Sequence, residues 1–142
     1  MKIREAVKKD VKEISEIFRK ESNKKPYFQK WDKKTALEKI KKSLKEGDIR
    51  IVGIGEEIAG FIILKSDFKK KEVYIDELWL RSDYQGKGIG TTLINFIENE
   101  YKKKGINIIG VMVNQMAKAV NFYRKLKYKK KHAFYYMTKR LR

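Results

Sequence analysis

The segment Arg81-Ser82-Asp83-Tyr84-Gln85-Gly86-Lys87-Gly88-Ile89-Gly90-Thr91-Thr92 joins an apolar, strand-like stretch to an amphipathic, helix-like one, and no other feature constrains the fold so tightly. Glycines at alternate positions remove the Cβ atoms where the backbone turns into the helix. Consecutive N–H groups can then point outward, and the positive end of the helix dipole is left uncovered. A diphosphate fits such a nest. Lys87 adds a mobile positive charge, and Thr91 or Thr92 adds a hydroxyl within a helical turn of the free amides. The motif is not a P-loop, because the lysine lies between the first two glycines and no Ser or Thr follows it. It is not the dinucleotide fingerprint either. The position that needs a third glycine is Thr91, and no βαβ half precedes the segment.

Hydrophobic periodicity places this junction within an alternating pattern. Lys2 to Val7 is predicted as a strand, Val7, Val11, Ile14 and Phe18 as the stripe of a first helix, and Leu37, Ile40 and Leu44 as that of a second after Asp32. Gly47-Asp48 ends the second helix. Ile49 to Ile54 and Ile58 to Leu64 read as a hairpin through Gly55-Glu56-Glu57, and Val73 to Leu80 as the strand feeding the glycine turn. Ile89, Leu93, Phe96, Ile97 and Tyr101 stripe the following helix, which Gly105 closes. Ile106 to Val113 is a fifth strand. Met116, Ala119, Val120, Tyr123 and Leu126 stripe a fourth helix, and Tyr128 to Thr138 is a terminal strand.

Composition narrows the chemistry. At 142 residues the chain suits a single domain over 1–142, and 42% hydrophobic residues with 7 Phe and 8 Tyr argue for a folded core despite 38% charged residues. The absence of cysteine excludes disulfides, thiolate nucleophiles and cysteine zinc sites, and a single histidine, His132, removes most metal and triad chemistry. His132 reads as a surface residue. No run of 18 apolar residues occurs and the N-terminus lacks a signal-peptide core, so a cytoplasmic protein with no membrane partner is expected.

Gln85, Gly88 and Gly90 meet the pattern Gln/Arg-x-x-Gly-x-Gly/Ala, which resembles the coenzyme-A-binding signature of the GNAT superfamily of N-acetyltransferases. The order β-α-α-β-β-β-α-β-α-β is similar to the GNAT arrangement over essentially the whole chain. A second segment, Ala119-Val120-Asn121-Phe122-Tyr123 through Tyr128, is similar to the family's Ala-x-x-Leu/Phe-Tyr-x-x-x-Gly-Phe. Two positions depart from the pattern. Met116 stands where many members have asparagine, a role that nearby Asn114 could take, and Lys127 stands at the usual glycine. The resemblance implies an α/β (α+β) fold with a central mixed, twisted sheet of six to seven strands, about four flanking helices, and splayed parallel strands at the cofactor site. It implies acetyl-CoA as cosubstrate, with the backbone of Leu78, Trp79 and Leu80 facing the pantetheine arm. The amides of Gln85, Gly86, Lys87, Gly88, Ile89, Gly90 and Thr91 would face the pyrophosphate.

Acetyl transfer to an amine needs a neutral nitrogen, so a base must remove a proton. Glu77 is the first candidate, since burial between Ile75 and Trp79 should raise its pKa; the bland alternative is that it pairs with a buried cation. Asp76 should point the opposite way unless a bulge intervenes. An oxyanion could be met by the backbone N–H around Leu78. The resemblance places Tyr123 beside the leaving sulfur as an acid, with ordinary core packing as its alternative, while Tyr135 and Tyr136 read as packing or pocket wall.

The net charge of +18 exceeds what a coenzyme needs. It leaves open a basic nucleic-acid-associated module with an acidic or ribonucleoprotein partner, although no nucleic-acid-binding motif accompanies it. A third reading is a non-catalytic acetyl-CoA-binding protein of the same fold. The acceptor, a small-molecule or peptide/protein amine, would lie near Ser22 to Trp31, where Tyr27, Phe28 and Trp31 are unusual for a loop. Neither the acceptor nor the choice between monomer and homodimer is legible.

Overall fold

In a computed structural model that describes residues 1–142, the chain runs β1 (Lys2–Glu5), α1 (Val11–Ser22), α2 (Lys33–Glu46), β2 (Asp48–Ile54), β3 (Glu57–Asp67), β4 (Glu72–Leu80), α3 (Ile89–Lys103), β5 (Ile108–Val111) and α4 (Ala119–Lys125). Short 3₁₀ turns occupy Lys8–Asp10 and Ser82–Tyr84. The strands form one mixed sheet in chain order, antiparallel from β1 to β4, with β5 added parallel to β4. That parallel step requires a crossover, which α3 supplies.

Alternation along β3 explains the two-layered core. Phe61 and Ile63 enter a cluster with Ile14, Phe18 and Ile40 of α1 and α2, whereas Ile62 and Leu64 enter one with Leu93, Ile94 and Ile97 of α3. Helices cover both faces, so β3 reads as a continuous apolar run and not as an alternating one. Each fully buried Ile or Phe contributes roughly 1.5–3 kcal/mol. Polar bonds pin α3 from outside the core: Arg50 on β2 is ion-paired with Asp48 and with Glu100 of α3, and Tyr101 Oη donates to Asp48 at 2.7 Å.

The helix ends follow local chemistry. Asp32 accepts the Thr35 N–H at 2.7 Å to cap α2. Gly105, at φ 86°, lets the Ile106 N–H reach the Tyr101 carbonyl at 3.1 Å and stops α3.

Four expectations need correction. The sheet has five strands and not six to seven. Tyr128 to Thr138 is not a strand: beyond Tyr128 the chain takes part in no helix, strand or hydrogen bond. Tyr135 and Tyr136 are 90% and 94% exposed, so they neither pack nor wall a pocket. Local β-propensity does not make a strand without a ladder partner, and the like charges of Lys129–Lys131 and Lys139-Arg140 favour solvent at both ends of this segment. The fourth helix begins at Ala119 and not at Met116. Asn114 Oδ1 takes the Met116 N–H at 2.9 Å, which sets a turn there and leaves Met116 exposed.

At the end of α4, Lys127 adopts φ 72° while the Tyr128 N–H closes on the Tyr123 carbonyl at 3.0 Å. A left-handed lysine carries a steric cost that glycine avoids. Lys127→Gly should therefore stabilise the protein by about 1 kcal/mol, read as a higher midpoint in chemical denaturation; a lower midpoint would contradict this.

Candidate active site

The site is built on an irregularity in β4. Leu64 pairs with Ile75 and Ile63 with Glu77, which leaves Asp76 as the extra residue of a β-bulge. The parity of the strand shifts there. Val73 and Ile75 before the bulge, and Leu78 and Leu80 after it, all pack toward α3, whereas Trp79 packs with the α1–α2 cluster. The ladder between β4 and β5 ends at the same place, at Ile75 opposite Val111. From Asp76 to Leu80 the edge of β4 facing β5 carries no strand, because β5 ends at Val111. β5 is correspondingly shorter than the predicted Ile106 to Val113.

At the end of β4 the chain enters the glycine turn. Gly86 and Gly88 take φ 74° and 81°, left-handed values that suit glycine, and Gly88 caps the start of α3. Six successive amides, from Gly86 to Thr91, donate to no backbone or side-chain acceptor. They form an uninterrupted row of free donors at the positive end of a fifteen-residue helix. Gln85 stands outside this row: its N–H bonds the Ser82 carbonyl, and its side chain donates to the Leu80 carbonyl at 2.9 Å and to Glu21 at 3.1 Å. Gly90 has a different reason to be glycine, since a Cβ there would lie 3.2 Å from the Phe122 ring of α4.

On the other face of β4 the bulge gathers two carboxylates around one lysine. Lys39 Nζ of α2 lies 2.7 Å from Asp76 and 3.7 Å from Glu77, and Trp79 Nε1 donates to Glu77 at 2.8 Å. Asp76 therefore does not point away from Glu77; the bulge turns both toward α2. Burial pushes the Glu77 carboxyl above its ordinary range, while Trp79 and Lys39 hold it down. Trp79 packs edge-on to Tyr27 at 4.8 Å between ring centroids, and Trp31 packs on Phe18 at 4.9 Å. Asn23 fastens this aromatic segment through two hydrogen bonds to the backbone of Trp31. Tyr123, on α4, is buried between Phe122 and Tyr128. Its hydroxyl has no hydrogen-bond partner, and burial, with a lesser contribution from the Tyr27 phenol, raises its pKa.

A row of free amides beside an opened strand edge, with a buried carboxylate and a buried phenol on flanking elements, is equipped to hold a diphosphate-bearing cosubstrate and to move protons near it. Residues 11–128 match the sequence model of the Acetyltransferase (GNAT) family. The chain belongs to this family. It is 38% identical over 68 residues to an uncharacterized N-acetyltransferase of Methanocaldococcus jannaschii, a match that spans 46% of this chain and only 30% of that protein. The GNAT fold is shared with a possible acetyltransferase from Clostridium difficile 630, at TM-score 0.82 and 19% identity over 99% of this chain and 98% of the other. It is also shared with a PaiA N-acetyltransferase from Thermoplasma acidophilum solved in complex with coenzyme A, at TM-score 0.73 and 24% identity over 88% and 87%.

The residues singled out in sequence fall into groups. Gly86, Lys87, Gly88, Ile89, Gly90 and Thr91 form the amide row, and Leu78, Trp79 and Leu80 lie on the stretch of β4 that pairs with β3 alone. Glu77 and Tyr123 pack toward opposite faces of that strand, Glu77 with Trp79 and Lys39 and Tyr123 with the α3 core. Asn114 holds its own loop through Met116. His132 is exposed, as read. Sequence reading missed Lys39 and Glu21, whose partners lie 37 and 64 residues away, and the only signal was a charge amid helical apolar spacing.

Glu77 should titrate above 4.5 in an NMR pH series. Lys39→Met should move the midpoint further up, because the cation that favours the charged form is gone. An unmoved midpoint would show that Lys39 does not act on this carboxyl.

Proposed function

We propose that the protein is an N-acetyltransferase that moves the acetyl group of acetyl-CoA to a primary amine by direct attack. The row of six unbonded amides beside the open edge of β4 carries this reading. The residues fit the cosubstrate: the amides and Lys87 answer a diphosphate, and strand backbone at Leu78–Leu80, which pairs with β3 alone, answers the amides of a pantetheine arm. Acetyl-CoA supplies the activated acyl group. Glu77, whose carboxyl is pushed up by burial, takes the proton of the acceptor ammonium, directly or through water. Tyr123, a phenol that is protonated near neutral pH, supplies a proton to the departing thiolate. The wall of Tyr27 and Trp79 next to Glu77 is where the amine of a small molecule, peptide or protein would approach.

Cosubstrate binding is tested by calorimetry. Coenzyme A should bind and ATP should not bind equally well; Gly88→Val, which places a branched side chain at φ 81°, should abolish coenzyme A binding while the protein stays folded. Equal affinity for ATP, or unchanged binding in the folded variant, would overturn the reading.

The proton roles are separated by pH. With an amine found by screening for thiol release, Glu77→Gln should lower turnover about 10²- to 10³-fold near neutral pH and recover partly in alkali, where more acceptor is already neutral. Tyr123→Phe should keep coenzyme A binding and lose turnover without alkaline rescue. Full activity of Glu77→Gln across the pH range would place the base elsewhere.

A further inference from the structure

The amide row has almost no support of its own. Gly86 and Gly88 have nothing within 4 Å of where a Cβ would stand, and the amides between Gly86 and Thr91 are unbonded. Its N-terminal flank, by contrast, is tied down at one point. Glu21, in the last turn of α1 and only 9% exposed, accepts from Ser82 Oγ at 3.1 Å to both carboxylate oxygens and from Gln85 Nε2 at 3.1 Å. Gln85 passes its other bond to the Leu80 carbonyl at the end of β4. Lys24 closes the cluster, donating to Glu21 at 3.0 Å and to Ser82 Oγ at 2.5 Å.

A carboxylate behind an anion site would oppose the anion unless its charge were met, and Lys24 meets it. We propose that Glu21 is a positioning residue for the diphosphate turn: it fixes Ser82 and Gln85, and through them the entry to the row of amides, without touching the cosubstrate. This rests on the acetyl-CoA reading above. Six amides that must converge on one diphosphate act together only if the turn is held before binding, since ordering it at the moment of binding lowers affinity. The same side chain links the turn to Lys24, at the head of the segment that carries Tyr27 and Trp31, so cosubstrate cradle and acceptor wall share one anchor.

The test compares coenzyme A with pantetheine, which lacks the diphosphate, by calorimetry, with thermal melting as a check on folding. Glu21→Ala should weaken coenzyme A about tenfold or more, a loss of about 1.4 kcal/mol, and leave the weaker pantetheine affinity unchanged. A merely structural role would lower both together. Gln85→Met removes the same tie from the other side, and combining it with Glu21→Ala should add little, because the two lose one shared interaction. If Glu21→Ala fails to fold, Gln85→Met alone gives the same reading through the coenzyme A to pantetheine ratio. Wild-type protein that binds no coenzyme A would refute the acetyl-CoA reading itself. Wild-type binding with an unchanged ratio in the variants would refute only the role of Glu21.

Discussion

One extra residue in β4 organises the molecule. Asp76 is left out of the ladder to β3 at the point where pairing with β5 ends, and beyond it the edge of β4 carries no strand. The same residue reverses which side chains face which layer. Were β4 to keep Asp76 in regular alternation, Glu77 and Trp79 would face the α3 core, where a carboxylate would lie among Leu93, Ile94 and Ile97. The bulge thus places the carboxylate beside Lys39 and the aromatic segment.

Most polar side chains of the site are held by protein partners, some near and some distant in sequence. Glu77 is met by Trp79 and Lys39, Glu21 by Ser82, Gln85 and Lys24, and Trp31 by Asn23. The Tyr123 hydroxyl has no partner, and the turn from Gly86 to Thr91 presents a whole row of donors that face no protein acceptor. Most of these donors sit on exposed residues at the start of a helix, where the first amides have no intrahelical acceptor and stay open to an outside one. The basic composition adds a favourable field for anions in general, whereas the free donors of this turn are backbone groups.

Both faces of the sheet are sealed by helices, and this shaped how legible the strands were. β3 and β4 were readable as apolar runs because they lie in the middle of the sheet, and α1 to α3 were readable because each buries a stripe at helical spacing. The segment after Tyr128 carries a comparable local pattern, with Phe134, Tyr135, Tyr136 and Met137 in a row, yet it has no neighbour to pair with and remains exposed. Propensity identifies a segment able to become a strand; pairing decides whether it does.

The sequence by itself determined most of the elements and the glycine turn, because helical period, caps and glycine conformations are local and act over a few residues. It also located Glu77 and Tyr123 on their elements and exposed His132. The direction of Asp76, the lysine that meets Glu77, the bond from the Gln85 side chain to Glu21, and the number of strands were decided only by tertiary structure. Each depends on a register or a contact between residues tens of positions apart. Such contacts are set by how the sheet and its helices pack together, and local preference carries no record of them.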